Sequence, residues 1–99
     1  MKKGVELAVI SYNDIPSNIT INRLAKIIKT ELISPYMGKV MPEEVKETIK
    51  RIFTEDKFRD RIYKRPLKEG EPISSTWSAA LTQILGRERI NIVIQILDN

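Results

Sequence analysis

The 99-residue sequence predicts an α+β fold, with strands at both ends of the chain in one small sheet and three or four helices covering it. Apolar residues alternate with others between positions 4 and 11, which indicates a first strand, and isoleucines alternate from Ile90 to Ile96, which indicates a last one. Between these segments, apolar residues recur at helical spacing. We interpret residues 1–99 as a single domain, since a chain of this length supports one core.

In the first half of the chain, the spacing predicts two helices. The first follows a polar loop, carries apolar residues on one face from Ile21 to Leu32, and ends before Pro35. The second begins at Pro42, because a first helical turn does not need the amide that proline lacks, and its apolar stripe covers residues 45–53.

After Thr54, the pattern allows two interpretations. Phe58 and Ile62 suit one face of a short helix capped by Thr54, and their alternation with Asp60 also permits a strand. The following residues, 65–72, contain two prolines and a glycine and predict a loop.

The clearest predicted helix starts near Trp77 and continues to Leu85, with apolar residues at helical spacing. The hydroxyl side chains of residues 74–76 offer caps for its first turn. Gly86 suits the left-handed residue that follows a last helical turn, and the predicted last strand begins after it.

The predicted last strand is apolar on one face and half apolar on the other, so it needs neighbours within a sheet. A third strand could come from residues 36–40, from residues 58–63 or from a second subunit. Because two strands alone are marginally stable, we predict a homodimer. In the alternative, a monomer, one of those two segments supplies the missing strand.

The chain contains no cysteine and no histidine. The first absence excludes disulfides, thiolate catalysis and metal ligation by sulfur, and the second excludes histidine-activated nucleophiles and imidazole-bound metals. Carboxylates, lysine and tyrosine remain as acid–base groups, but no pattern singles one out. We therefore predict no catalytic residue, no metal site, no cofactor and no enzymatic activity.

The longest nearly apolar run, residues 90–97, is shorter than the ~20 residues that cross a bilayer. The first residues lack both a long hydrophobic stretch and a small-residue cleavage site. We therefore predict an intracellular protein with no membrane partner.

Residues 57–68, KFRDRIYKRPLK, form what we call the basic segment, with six basic residues and one acidic residue. The rest of the chain has eleven basic and twelve acidic residues, so the basic excess is local. Such a cluster can attract a polyanion, and a tyrosine can stack on a base. The alternative is a solvated face that pairs with neighbouring acids. The candidate nucleic-acid-binding residues are Lys57, Arg59, Arg61, Tyr63, Lys64, Arg65 and Lys68.

A second candidate site is the segment ISSTW at residues 73–77. Hydroxyl groups and free amides at the start of a helix can hold a phosphate, which makes Ser75 and Thr76 candidate phosphate-binding residues. Ordinary helix capping is the alternative explanation, because serine and threonine are common caps.

Sixteen isoleucines, many lysines and the absence of cysteine and histidine give a composition that resembles small uncharacterised proteins of filamentous viruses of hyperthermophilic archaea. An AT-rich genome favours the same residues. The segment PISSTWSAALTQILGRERINIVIQIL is also similar in layout to part of an archaeal-virus family that binds and cleaves cyclic oligoadenylate. Ser75, Thr76, Gly86 and Arg89 occupy the matching positions, and the catalytic histidine of that family has no counterpart here.

From these patterns we expect a non-enzymatic accessory or interaction protein that acts by surface contact with another macromolecule. A viral origin, as the resemblance implies, would place it in the host cytoplasm with a host or viral protein as its partner. Nucleic-acid binding through the basic segment is one alternative. Binding of cyclic oligoadenylate or a related phosphodiester ligand is the other.

Overall fold

A computed structural model describes residues 10–98, and in this range the chain folds into helices without a sheet. The α-helices are α1 (Ile21–Ile27), α2 (Glu43–Thr54), α3 (Arg59–Ile62) and α4 (Ala79–Asp98). The chain leaves α1 through a π-helical segment, Ile28–Ile33. Short 3₁₀ turns occur at Tyr12–Asp14, Ser34–Tyr36, Asp56–Phe58 and Ile73–Thr76. The predicted α+β class is therefore wrong for the described residues.

The core lies where α1 and α2 pack against α4. The predicted apolar stripes of the first two helices are confirmed, because Leu24 and Ile28 on one, and Val45 and Ile49 on the other, are completely buried. The predicted break near Thr54 is also confirmed, although Thr54 is the last residue of α2 and does not cap the next helix. Periodicity alone was sufficient for these two helices.

The predicted last strand, residues 90–97, is wrong, because this segment forms the second half of α4. Its isoleucines alternate, but its polar residues recur at intervals that put them on one side of a helix. They are exposed, whereas Ile90, Val93 and Ile96 are buried. The β-branched residues favour a strand only weakly, and packing against the rest of the core outweighs that preference. The polar stripe consists of Arg87, Glu88, Asn91, Gln95 and Asp98.

A kink at Gly86 divides α4 into two halves. Gly86 has φ 78° and ψ 161°, a conformation that is essentially restricted to glycine. Beyond the kink, Arg89 donates from Nε to Ser34 Oγ at 3.1 Å and from Nη1 to the carbonyl of Leu85 at 3.3 Å. The left-handed conformation predicted for Gly86 is confirmed in its positive φ alone, since a ψ of 161° lies outside the left-handed helical region, and the chain continues into a helix instead of the predicted strand.

The structure offers no strand at the positions considered for a third one. Residues 36–40 form the end of a 3₁₀ turn and a loop, and residues 58–62 are helical. An isolated antiparallel bridge joins Tyr63 to Trp77, with amide-to-carbonyl hydrogen bonds on either side of it. Residues 4–9 of the predicted first strand lie outside the described residues, and residues 10 and 11 are not part of a strand.

The homodimer prediction depended on a last strand that needed more neighbours in its sheet. Since residues 90–97 are helical, that strand does not exist in the described part of the chain, and the argument from it no longer applies. The oligomeric state stays a prediction. Within residues 10–98, no helix combines the length and the apolar character that crossing a membrane requires.

A candidate binding cleft beside the basic segment

The basic segment is built into the core through its apolar residues. Phe58 and Ile62 are both completely buried. The ring of Phe58 meets the buried ring of Tyr12 edge to face, with 5.7 Å between the centroids. The backbone that carries the basic residues is therefore held in place by the core, and the segment is not a free basic arm.

Lys57 binds within the protein. Its Nζ donates to the carbonyl oxygen of Tyr12 at 3.3 Å and lies 4.9 Å from the centre of the Tyr12 ring. The guanidinium of Arg51 also lies on that ring, 4.1 Å from its centre. Lys57 therefore stabilises the turn that contains Tyr12, and its charge is directed at groups of the chain itself.

Arg59 forms an exposed ion pair with Asp56. The Nε atom donates to Asp56 Oδ1 at 2.9 Å, and Nη2 donates to the carbonyl of Thr54 at 3.2 Å. The side chain of Arg59 is 53% exposed and that of Asp56 is 92% exposed. A pair this exposed contributes about 0–1 kcal/mol, so the carboxylate of Asp56 is easily exchanged.

Arg65 is held more firmly, by Glu71. Its Nη1 donates to Glu71 Oε1 at 2.8 Å and its Nη2 donates to Oε2, while the amide of Lys68 donates to Oε1 at 3.1 Å. These hydrogen bonds, those from Arg65 first, lower the pKa of Glu71 to about 2. The bidentate pair closes residues 65–71 into a loop that turns at Gly70, whose φ is 79°.

The remaining cations of the basic segment are unpaired. Within residues 10–98, the side chains of Arg61, Lys64 and Lys68 make no ion pair, and neither do the nearby carboxylates of Asp60 and Glu69. Three free positive charges thus stand beside two free negative charges. Local pairing reduces the basic excess that the sequence shows.

An open cleft of about 530 Å³ lies between α2, α3 and the 65–71 loop. Its surface is mainly apolar. The side chain of Leu67 is 44% exposed there, whereas most large apolar side chains among residues 10–98 are buried or half-buried. The lining residues are Phe53, Thr54, Arg59, Asp60, Tyr63, Arg65, Pro66, Leu67 and Ile73. Three of the predicted nucleic-acid-binding residues, Arg59, Tyr63 and Arg65, are therefore brought together in the cleft.

Tyr63 forms part of the cleft wall, and a hydrogen bond from its hydroxyl group holds the side chain in place. Its hydroxyl donates to the carbonyl of Phe53 at 2.5 Å. Burial raises the pKa of the Tyr63 phenol, and the charge of Arg59 opposes this rise. The Trp77 ring packs 5.0 Å from that of Phe53, and its indole nitrogen has no acceptor in hydrogen-bonding geometry among the described residues. Tyr63 therefore offers its ring, and not its hydroxyl, to the cleft.

Ser75 and Thr76, the candidate phosphate-binding residues, use their hydroxyl groups within their own turn. Ser75 Oγ donates to the carbonyl of Pro72 at 2.7 Å, and Thr76 Oγ1 donates to that of Ile73 at 3.0 Å. Thr76 is completely buried. In this arrangement neither hydroxyl hydrogen is left for a phosphate.

The cap of α4 is Ser78, which lies beyond the predicted caps at residues 74–76. Its Oγ accepts a hydrogen bond from the amide of Leu81 at 3.2 Å. The sequence leaves the capping residue ambiguous, because four of the five residues from 74 to 78 carry a hydroxyl group. The bridge at Trp77 keeps that residue extended, so the helix starts after it and Ser78 is the cap. Within residues 10–98, no group of acidic side chains is placed to hold a metal ion.

The Arg65–Glu71 pair predicts a pH dependence of stability. The pKa of Glu71 is lowered from 4.5 to about 2, so the pair stabilises the fold fully above about pH 4.5, and this contribution is lost as the pH falls through about 2. We expect the urea midpoint of Glu71→Gln to fall less over this range than that of the unmodified protein. Glu69→Gln, a change to an exposed neighbour, should leave the fall unchanged. Equal slopes for all three proteins would contradict the prediction.

No protein-family model, curated protein or solved structure matches this chain. The comparisons therefore give no support to the viral or archaeal origin inferred from composition. Of the positions that matched the cyclic-oligoadenylate family, Gly86 lies at the kink of α4 and Arg89 binds the carbonyl of Leu85 across it, and the matched segment stays helical from Gly86 to Asp98.

Proposed function

We propose that this chain is a non-enzymatic interaction protein that binds a segment of another protein in the cleft. The observation that carries the proposal is an apolar cleft of about 530 Å³, with the exposed side chain of Leu67 in its wall. Clefts of this size commonly take ligands, and an exposed apolar side chain beside such a space gains stability when a partner covers it.

The polar groups of the cleft support binding over catalysis. Tyr63 and Thr54 both donate their hydroxyl hydrogens to backbone carbonyls, at 2.5 Å and 2.7 Å. Asp60 is the acidic residue among the lining residues, and it makes no ion pair with a described residue. The lining can thus orient and hold a partner, but it lacks an activated nucleophile.

Nucleic-acid binding through the basic segment is the second candidate. Its support is the set of three unpaired cations, Arg61, Lys64 and Lys68. The arrangement favours it less than protein binding, because Lys57, Arg59 and Arg65 are engaged within the chain and two unpaired carboxylates lie close by. A nucleic-acid complex would weaken steeply with added salt, whereas an apolar contact would not.

Peptides selected from a random displayed library test the proposal. We expect peptides that bind the unmodified protein to bind Leu67→Asp about tenfold more weakly or worse, because a charge replaces the apolar wall. Val40→Asp is a matched control: Val40 is 91% exposed and lies outside the cleft lining. It should bind these peptides like the unmodified protein.

Two results would contradict protein binding in the cleft. The first is a selection without enrichment, or with peptides that Leu67→Asp still binds. The second is salt-sensitive binding of single-stranded RNA or duplex DNA that is lost when Arg61, Lys64 and Lys68 are changed to glutamine and is kept in Leu67→Asp. That second pattern would establish the nucleic-acid alternative.

A further inference from the structure

We propose that the cleft selects a partner segment in which one carboxylate stands next to a large apolar side chain, and that Arg59 receives the carboxylate. This inference rests on the proposed protein binding and names the chemistry of the segment. The two arginines that line the cleft, Arg59 and Arg65, differ in how firmly they are ion-paired. The inference follows from this difference and from the position of Asp60 in the lining.

The two arginines differ in how easily a ligand can displace the carboxylate that each of them binds. Arg65 is bound through two nitrogens to Glu71, whose side chain is 18% exposed and also accepts the amide of Lys68. Arg59 is bound through Nε alone to a carboxylate that is 92% exposed. Exchanging Asp56 for a ligand carboxylate therefore costs little, whereas displacing Glu71 would open the 65–71 loop and remove one wall.

Arg59 is already oriented for such an exchange. The carbonyl of Thr54 accepts a hydrogen bond from Nη2 at 3.2 Å, and the guanidinium carbon lies 6.0 Å from the centre of the Tyr63 ring. No described residue accepts a hydrogen bond from Nη1. A carboxylate that enters the cleft can thus bind the unoccupied Nη1 together with the second hydrogen of Nη2, a two-nitrogen contact that Asp56 does not make.

The apolar part of the ligand is specified by the apolar lining residues. Pro66, Leu67 and Ile73 line the same space as Arg59, together with Tyr63. Ring stacking and aliphatic contacts of this kind suit a large, flat or branched apolar side chain. A segment without one would leave Leu67 exposed and gain little from the cleft.

Asp60 limits the ligand to a single negative charge. Asp60 is one of the lining residues and makes no ion pair with a described residue. A second negative charge inside the cleft would meet this carboxylate, because Arg65 is already bound to Glu71. Inside the cleft, an isolated acidic residue is therefore favoured over two adjacent negative charges.

Blocked dipeptides provide the test, with binding followed by chemical shifts of the backbone amides. Acetyl-Trp-Asp-amide carries the proposed groups, acetyl-Trp-Asn-amide removes only the charge, and acetyl-Gly-Asp-amide removes only the apolar part, each in both residue orders. We expect the aspartate peptide with tryptophan to shift the amides of Tyr63, Leu67 and Ile73 and to bind about tenfold more tightly than either relative.

Arg59→Gln isolates the role of the arginine, and Arg61→Gln is its control, since Arg61 is a neighbouring cation outside the cleft lining. Arg59→Gln should bind the aspartate and asparagine peptides equally, whereas Arg61→Gln should keep the tenfold preference. The spectrum of each free variant shows whether it is folded.

The failures are distinguishable. Equal binding of the aspartate and asparagine peptides in the cleft of the unmodified protein overturns the carboxylate inference and leaves protein binding through the apolar wall in place. A preference that survives in Arg59→Gln overturns the role of Arg59. Absence of shifts at Tyr63, Leu67 and Ile73 with every tryptophan peptide counts against both this inference and the proposed function.

Discussion

Replacing Phe58 with alanine is expected to lower the free energy of unfolding by about 3–5 kcal/mol. The ring is completely buried and packs edge to face on Tyr12, with 5.7 Å between the centroids, so its removal leaves a cavity and takes away the aromatic partner of Tyr12. Urea unfolding followed by the fluorescence of Trp77 measures the loss. Because single domains of this size are stable by about 5–15 kcal/mol, the variant should be close to unfolding.

Leu67→Ala is the matched control for Phe58. It removes an apolar side chain from the same basic segment, but Leu67 is 44% exposed and lies in the cleft wall. We expect its stability to change by no more than about 0.5 kcal/mol. A loss below about 1 kcal/mol for Phe58→Ala would show that the basic segment lies on the surface and is not anchored by its ring.

Replacing Gln95 with proline is expected to destabilise the protein by about 3 kcal/mol or more. Gln95 lies on the exposed side of the second half of α4, so the substitution tests the backbone and not the packing of the side chain. In a helix, proline removes an amide donor and clashes with the preceding turn. The loss is measured by urea unfolding, and circular dichroism reports the accompanying loss of helix.

Gln95→Ala distinguishes a helix at residues 90–98 from the strand that the alternating isoleucines predicted. Alanine is the best helix former, so this variant should be as stable as the unmodified protein or slightly more stable. Alanine is disfavoured in strands, where the same change would be destabilising. A tolerated proline together with a destabilising alanine would contradict a helix at residues 90–98.

The candidate site could be predicted in part. The charge pattern drew attention to residues 57–68, and three of the selected side chains line the cleft. The sequence does not show which cations are free, because that depends on hydrogen bonds such as those between Arg65 and Glu71 or between Lys57 and the carbonyl of Tyr12. The latter joins positions 45 residues apart. No local pattern contains such a contact.

The sequence by itself determined the chemistry that is excluded, since a chain without cysteine or histidine cannot supply a thiolate or an imidazole. It also determined α1, α2 and the positive φ of Gly86, because helical periodicity and the freedom of glycine are local properties. Only the tertiary structure decided the state of residues 90–98, where alternating isoleucines and a helical polar stripe occupy the same positions. A segment that fits both periods takes the one that buries its apolar side chains against its neighbours, and here those neighbours are helices.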